Sequence, residues 1–129
     1  FLARRPGVES GFMIAHVAAA SLVNAARVFA HPASVDNITT SGGNEDHVSM
    51  GMTSALKLRS IVDLAENSLA IELLAAAQGL ELRRPLKAGR GVERAFAAVQ
   101  KVAPPLTQDR ALSGDIARVA EAIRRGDFD

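Results

Sequence analysis

Three side chains able to bind or transfer protons, Glu45, Asp46 and His47, follow Ser41 and two glycines in the stretch TSGGNEDHVSMG at residues 40–51. An ionised carboxylate only accepts hydrogen bonds, so Glu45 suits a ring N–H or a cation on a ligand. A neighbouring carboxylate or imidazole could orient it. A serine nucleophile would need a base and a strand-turn-helix elbow, and no such pattern precedes Ser41 or Ser49. Gly42 and Gly43 lack the spaced third glycine or the Lys-Ser/Thr of a phosphate loop. His16, His31 and His47 have no metal-ligand spacing and the chain has no cysteine, so no metal site is expected.

A carboxylate acts on a ligand only when a rigid element aims it. The same stretch reads as a helix start, with Asn44 as N-cap and Glu45 and Asp46 in the first turn, where the macrodipole favours negative charge. A helix N-terminus also fixes its first side chains, so a cap and a binding role for Glu45 share one placement. Adjacent on a helix, Asp46 and His47 would point in different directions, which argues against an acid-base dyad.

Helical periodicity runs on both sides of this loop. Residues 11–30 place Phe12, Ala15, Ala19, Leu22, Val23, Ala26 and Phe29 at a 3.6-residue period, with Met13, Ile14 and Val17 on other faces, so a helix buried nearly all round is predicted. Ser10 is its expected N-cap and His31-Pro32 its stop. His16, Asn24, Arg27 and the excess of alanine over leucine argue against a transmembrane span. Residues 31–45 have the composition of an ordered loop, and a loop this long is often functional.

The second helix is predicted over residues 46–78, with Gly79 at C′ and Pro85 beyond. It would be a rod about 50 Å long. Its apolar stripe, Val48, Met52, Ala55, Leu58, Val62, Ala65, Leu69, Leu73 and Ala76, is widened by Leu56, Ile61, Leu64, Ile71 and Leu74. A chain of this size cannot cover such a surface, so helices of other subunits or of further sequence must do so. The basic stretch LELRRPLKAGRG reads as a solvated connection to two shorter helices, over residues 92–102 and 115–125. The fold class is all-α: a long-helix bundle with two shorter helices after it, part of a larger helical oligomer. Residues 1–79 would form the central-bundle helices with an active-site loop at 31–47, and residues 80–129 a carboxyl-terminal helical region.

With 129 residues, 48% of them hydrophobic, the chain has the size and apolar content of one domain. Fifteen basic and 14 acidic residues leave a net charge of +1, too little to recruit nucleic acid or an anionic membrane surface. The absence of cysteine fits a reducing compartment, and a cytoplasmic location is expected. There is no tyrosine, so a phenol acting as acid or base must come from another polypeptide. The first residues, FLARRPGVES, carry neither an initiator methionine nor a signal-peptide pattern, and the chain reads as beginning within a longer protein.

Several segments agree in order with one family: GFMIAHVAAA at 11–20, HPASVD at 31–36, TSGGNEDHVSMG at 40–51, LAIELLAAAQGLELRRPLK at 69–87 and the ending DRALSGDIARVAEAI. Together they resemble the carboxyl-terminal part of the histidine and aromatic amino acid ammonia-lyases. The resemblance implies an all-α homotetramer of very long helices whose active sites draw residues from three subunits. It also implies an electrophilic methylidene-imidazolone made from an internal Ala-Ser-Gly, and a catalytic tyrosine. Neither is in this chain: Thr40-Ser41-Gly42 and Leu112-Ser113-Gly114 resemble the precursor only superficially. The chain alone is therefore expected to be inactive, with no catalytic residue of its own, and to be completed by the remaining part of the same enzyme.

By the same resemblance Glu45 faces the substrate side chain and accepts a hydrogen bond from an imidazole ring, and Met13 lines the pocket, with Ser41 and Asn44 lining or shaping it. Phenylalanine-specific relatives usually carry Gln at the Glu45 position and Glu at the Ser41 position, so Ser41 with Glu45 is the histidine-type pair. Two positions depart from the histidine pattern: Gly43-Asn44 stands where Asn-Gln is common, and His16 where Gln is usual. The implied activity is conversion of L-histidine to urocanate and ammonia. The alternatives are a phenylalanine or tyrosine ammonia-lyase or aminomutase of the same family or, from the residues alone, a non-catalytic helical oligomerisation module. The implied partners are an aromatic amino acid and other copies of the enzyme, not nucleic acid and not a membrane.

Overall fold

The computed structural model describes residues 1–128 and places them in four helices: α1 (Met13–Phe29), α2 (Gly51–Leu82), α3 (Arg90–Val102) and α4 (Ser113–Arg124). No strand occurs among the described residues, which makes the fold all-α as the periodicity predicts. The long rod is present: α2 runs 32 residues without a break, about 48 Å. Its Ala, Leu, Glu and Gln content and lack of internal proline favour one continuous helix.

Most helix boundaries shift from their expected places, for local reasons. The end of α3 falls at Val102 as expected, and at the end of α1 Ala30 closes the helix by donating to the Ala26 carbonyl at 2.9 Å, directly before His31-Pro32. The start of α1 is Met13 rather than residue 11, because Gly11 is left-handed at φ 56° and cannot join the helix. Ser10 does not cap it with its side chain; its backbone carbonyl accepts from Met13 at 3.2 Å.

The start of α2 is Gly51 rather than residue 46, because Met50 adopts a left-handed φ of 53°. At the other end Gly79 is not a C′ residue, and α2 continues to Leu82. A Cβ at Gly79 would make only ordinary contact with the Leu2 side chain, 3.8 Å away, so packing does not demand glycine there. The expected division between residues 79 and 80 therefore falls inside α2. The short helices begin two residues earlier than expected, at Arg90 and Ser113. In α3, Glu93 reaches back to the Ala88 N–H at 2.8 Å and pairs with Arg84, whose guanidinium lies over the Phe96 ring. The arginine holds the Glu93 carboxyl below the usual carboxylate range. This folds part of the basic stretch back onto α3.

The core lies at one end of the rod. Phe12 and Ala15 of the α1 start, Ala70, Ile71 and Leu74 of α2, Val99, and Val119 and Ala120 of α4 pack together there. Alanines at the contacts let the helices approach closely. The connector between α3 and α4, residues 103–112, is tied down twice. Gln78 is buried in α2 and exchanges two 2.9 Å hydrogen bonds with the Leu106 backbone. Asp115, buried in the first turn of α4, accepts from both Arg110 and Arg118. Arg110 also donates to the Pro104 carbonyl at 2.9 Å, and Arg118 to the Val102 carbonyl at 2.7 Å.

The other end is bare. Met52, Leu56, Leu58 and Val62 on α2 and Val28 on α1 are exposed there; Ile14 and Val17 are exposed beside the core, and of α1 only Ala15 is buried. The burial on nearly all sides expected for residues 11–30 is thus not supplied by this chain, because α2 covers only one face of α1. The accessible surface is 8713 Å², against about 6,600 Å² for a compact monomer of this mass. By length and composition Met13–Val35 could cross a membrane. The helix itself, however, is 17 residues, about 25 Å and short of a hydrocarbon core about 30 Å thick.

Candidate functional site

The loop joining α1 to α2 is braced within itself. Its base is closed by Lys57, which donates to the His31 carbonyl, and by Asn37, which donates to the Ser34 carbonyl and accepts from the Val48 N–H at 2.7 Å. Its tip is a tight turn. The Thr40 N–H donates to the Glu45 carbonyl at 2.8 Å and the Glu45 N–H to the Thr40 carbonyl at 3.3 Å, a two-way backbone pair. Between them Ser41–Gly43 form one short 3₁₀ turn, in which Ser41, Gly42 and Gly43 all have positive φ. Two consecutive glycines here satisfy a backbone that L side chains resist. The Asn44 amide closes the turn onto the Ser41 carbonyl at 3.1 Å.

This geometry corrects the reading of the stretch as a helix start. Asn44 caps the 3₁₀ turn and not α2, and Glu45, Asp46 and His47 lie outside the helix. The macrodipole of α2 therefore does not account for the acidic pair. The backbone of Glu45 is held on both sides, and among the described residues its exposed carboxylate takes part in no hydrogen bond or ion pair.

Of the four residues expected to contact substrate, Ser41, Asn44 and Glu45 come together in this turn. Met13 does not join them. It lies at the opposite end of α1 from the loop, about 24 Å along the helix axis. There it borders an open cleft of about 570 Å³ between α1 and α2, also lined by Phe12, His16, Ser68, Ile71 and Glu72 and by no residue of the 31–50 loop. The cleft is mostly apolar, and its volume is within the range of small-molecule sites. His16, the position that departs from the family pattern, faces the same cleft one helical turn from Met13.

Three further residues shape this region, and their sequence positions gave little sign of it. The Asp109 carboxylate accepts from the Ser10 N–H at 2.8 Å and the Gly11 N–H at 2.9 Å. These two donors hold the Asp109 carboxyl below the usual range. Gln78 and Asp115 are the buried polar residues that fix the connector carrying Asp109. The spacing of Arg110, Asp115 and Arg118 was the only local signal, an i,i+3 pair plus one more basic residue.

Fold and loop together define a class: a long-helix bundle with an exposed, unpartnered carboxylate at a braced turn and one end of its rod uncovered. The chain belongs to the aromatic amino acid lyase family, whose family model, Aromatic amino acid lyase, matches residues 1–101. It is 55% identical over 126 residues to a histidine ammonia-lyase of Sorangium cellulosum, covering 98% of this chain and 24% of that protein. It is 51% identical over 128 residues to a histidine ammonia-lyase of Stigmatella aurantiaca, covering 99% and 25%. Among solved structures, it is similar to histidine ammonia-lyase from Trypanosoma cruzi with a TM-score of 0.92 and 46% identity, covering 98% of this chain and 25% of that one. Tyrosine aminomutase from Streptomyces globisporus gives a TM-score of 0.89 at 35% identity, covering 99% and 24%. The chain thus spans about a quarter of the length of the curated relatives it matches.

Proposed function

We propose that this chain is the carboxyl-terminal portion of an ammonia-lyase that converts L-histidine to urocanate and ammonia. The observation that carries the reading is the Glu45 carboxylate, fixed by its backbone and left without a structural partner. A carboxylate there accepts the imidazole N–H and leaves a phenyl ring unrewarded, because a phenyl ring brings no donor to it. Met13 supplies apolar wall, and Ser41 and Asn44 shape the turn that presents Glu45. The histidine ammonia-lyases at 51–55% identity support the choice of substrate.

Family members use a methylidene-imidazolone group formed from Ala-Ser-Gly, which would supply the electrophile for loss of the amino group. The residues of this chain do not fit its formation. Thr40-Ser41-Gly42 makes the loop tip and Leu112-Ser113-Gly114 the start of α4, and neither Ser-Gly pair follows alanine. The group and the proton-transferring tyrosine are assigned to the upstream part of the enzyme. This chain binds and orients the ring.

Because Met13 and Glu45 lie at opposite ends of α1, one pocket can use both only when different copies of the chain contribute them. This, with the bare half of α2, supports a homotetramer in which other subunits cover the rod. A cysteine-free chain suits a cytoplasmic location. The match to a tyrosine aminomutase favours one second reading, migration of the amino group instead of its loss, and product analysis separates the two. Denaturing mass spectrometry of the protein purified from its source tests the assignment. The expected polypeptide set contains an Ala-Ser-Gly segment lighter than its sequence by the waters lost on cyclisation and dehydration. Finding this chain with no such segment overturns the enzymatic reading.

A further inference from the structure

The start of α1 is tied locally by backbone alone, the Phe12 N–H to the Phe1 carbonyl at 2.8 Å and the Met13 N–H to the Ser10 carbonyl at 3.2 Å. Neither Ser10 nor Phe12 offers a side-chain cap, and the N–H groups of Ser10 and Gly11 both go to Asp109, 98 residues beyond Gly11. Asp109 is in turn fixed from both sides. Leu106 is locked to the buried Gln78, and Arg110 to the buried Asp115 and the Pro104 carbonyl. A carboxylate on so rigid a mount, accepting two N–H donors of adjacent residues, sets both the position and the direction of the backbone it holds. Two residues after Gly11 that backbone becomes Met13, the first residue of α1.

We propose that Asp109 is a positioning residue for the substrate pocket: by holding the Ser10 and Gly11 N–H groups it fixes the α1 start and thereby the place of Met13. This rests on the reading that Met13 lines the pocket. Asp109 touches no substrate in this account. Depression of its carboxyl by the two donors agrees with a tie that stays ionised throughout the neutral range. Its loss lets the α1 start drift, and a pocket wall that drifts weakens binding of substrate and transition state alike, which raises KM with kcat little changed.

The test is a double-mutant cycle in the full-length enzyme with histidine as substrate: Asp109→Asn, Met13→Ala and the pair. Asparagine keeps the shape of the side chain but can accept with only one of its two terminal atoms. The expected rise in KM for Asp109→Asn is roughly threefold to tenfold, below the 10²-fold that a full 1 Å misplacement can cost. In the Met13→Ala background the same substitution should change KM by less than about twofold, the scatter of independent sites. Asp109→Glu, which keeps both acceptors, should lie nearer the parent. An equal factor in both backgrounds overturns the proposal, because Asp109 would then act elsewhere. A lowered melting temperature with unchanged KM overturns it as well, since the tie would be structural only. An unchanged KM in Met13→Ala alone instead removes Met13 from the pocket and refutes the premise, a result distinguishable from the other two.

Discussion

Replacing Gln78 by leucine isolates the energetics of the α3–α4 connector. Gln78 is 3% exposed. Its amide donates to the Leu106 carbonyl at 2.9 Å and more weakly to the Leu2 carbonyl at 3.4 Å, while its oxygen accepts the Leu106 N–H at 2.9 Å. Leucine fills nearly the same space, so packing is largely kept and the loss is confined to these bonds. It leaves the N–H and C=O of Leu106, itself 6% exposed, without partners, at about 1–3 kcal/mol for each group. At least about 2 kcal/mol is therefore expected, and it should be local, because the remaining ties at Asp115 are untouched. Amide exchange in residues 103–112 should then quicken by about 30-fold, since 1.36 kcal/mol is a factor of ten. Hydrogen–deuterium exchange with mass spectrometry on the full-length protein reads this directly, with peptides of α4 as the internal reference. Connector exchange within about threefold of the parent would mean less than about 0.7 kcal/mol and would refute the reasoning.

Gly11→Ala should destabilise the amino-terminal segment by an amount of order 1–3 kcal/mol, because φ is 56° and a Cβ would overlap the Phe1 carbonyl oxygen. Gly7→Ala, strained at φ 90° but in open space, should cost less; equal shifts in melting temperature would discount the overlap. Acidification should destabilise the region below about pH 4. Asp109, held by the Ser10 and Gly11 N–H groups, Glu93, held by Arg84, and Glu9, held by the Arg5 N–H and side chain, all have carboxyls depressed in the folded state. A depressed carboxyl stabilises the fold fully above its unfolded pKa, and that contribution is lost as pH falls through the folded value. Melting temperature against pH should thus be flat from these groups between about pH 5 and 7 and fall below about pH 4, less steeply in Asp109→Asn. An identical fall in parent and variant would rule out the Asp109 contribution.

What the sequence made legible follows from how local each cause is. The two long helices and the two short ones were readable from apolar period and from His31-Pro32, because repeated spacing over many residues outweighs any one position. Boundaries failed where one residue's backbone or a distant partner decided them. Met50 in a left-handed conformation pushes the start of α2 to Gly51, and nothing in methionine's chemistry announces that. Asp109 holds the segment leading into α1 rather than capping it, and a bond across 98 residues leaves no local trace. Gly79 looked like a terminator because glycine often is one, yet α2 runs past it to Leu82. The site was half legible. The polar stretch at residues 40–47 stood out by composition, but its explanation as a cap was wrong, and the resemblance to the ammonia-lyases pointed to Glu45 where physical reasoning alone favoured the macrodipole. The separation of Met13 from Glu45 follows from the length of α1, which lies between them and which the apolar period had already given.

The central claim is that the free Glu45 carboxylate reads the substrate ring, and the measurement that tests it most directly is kcat/KM of the full-length Glu45→Ala enzyme on L-histidine. Loss of a hydrogen bond to a charged acceptor should lower it by about tenfold or more. A value unchanged from the parent would contradict the account and return Glu45 to the solvated surface of a loop.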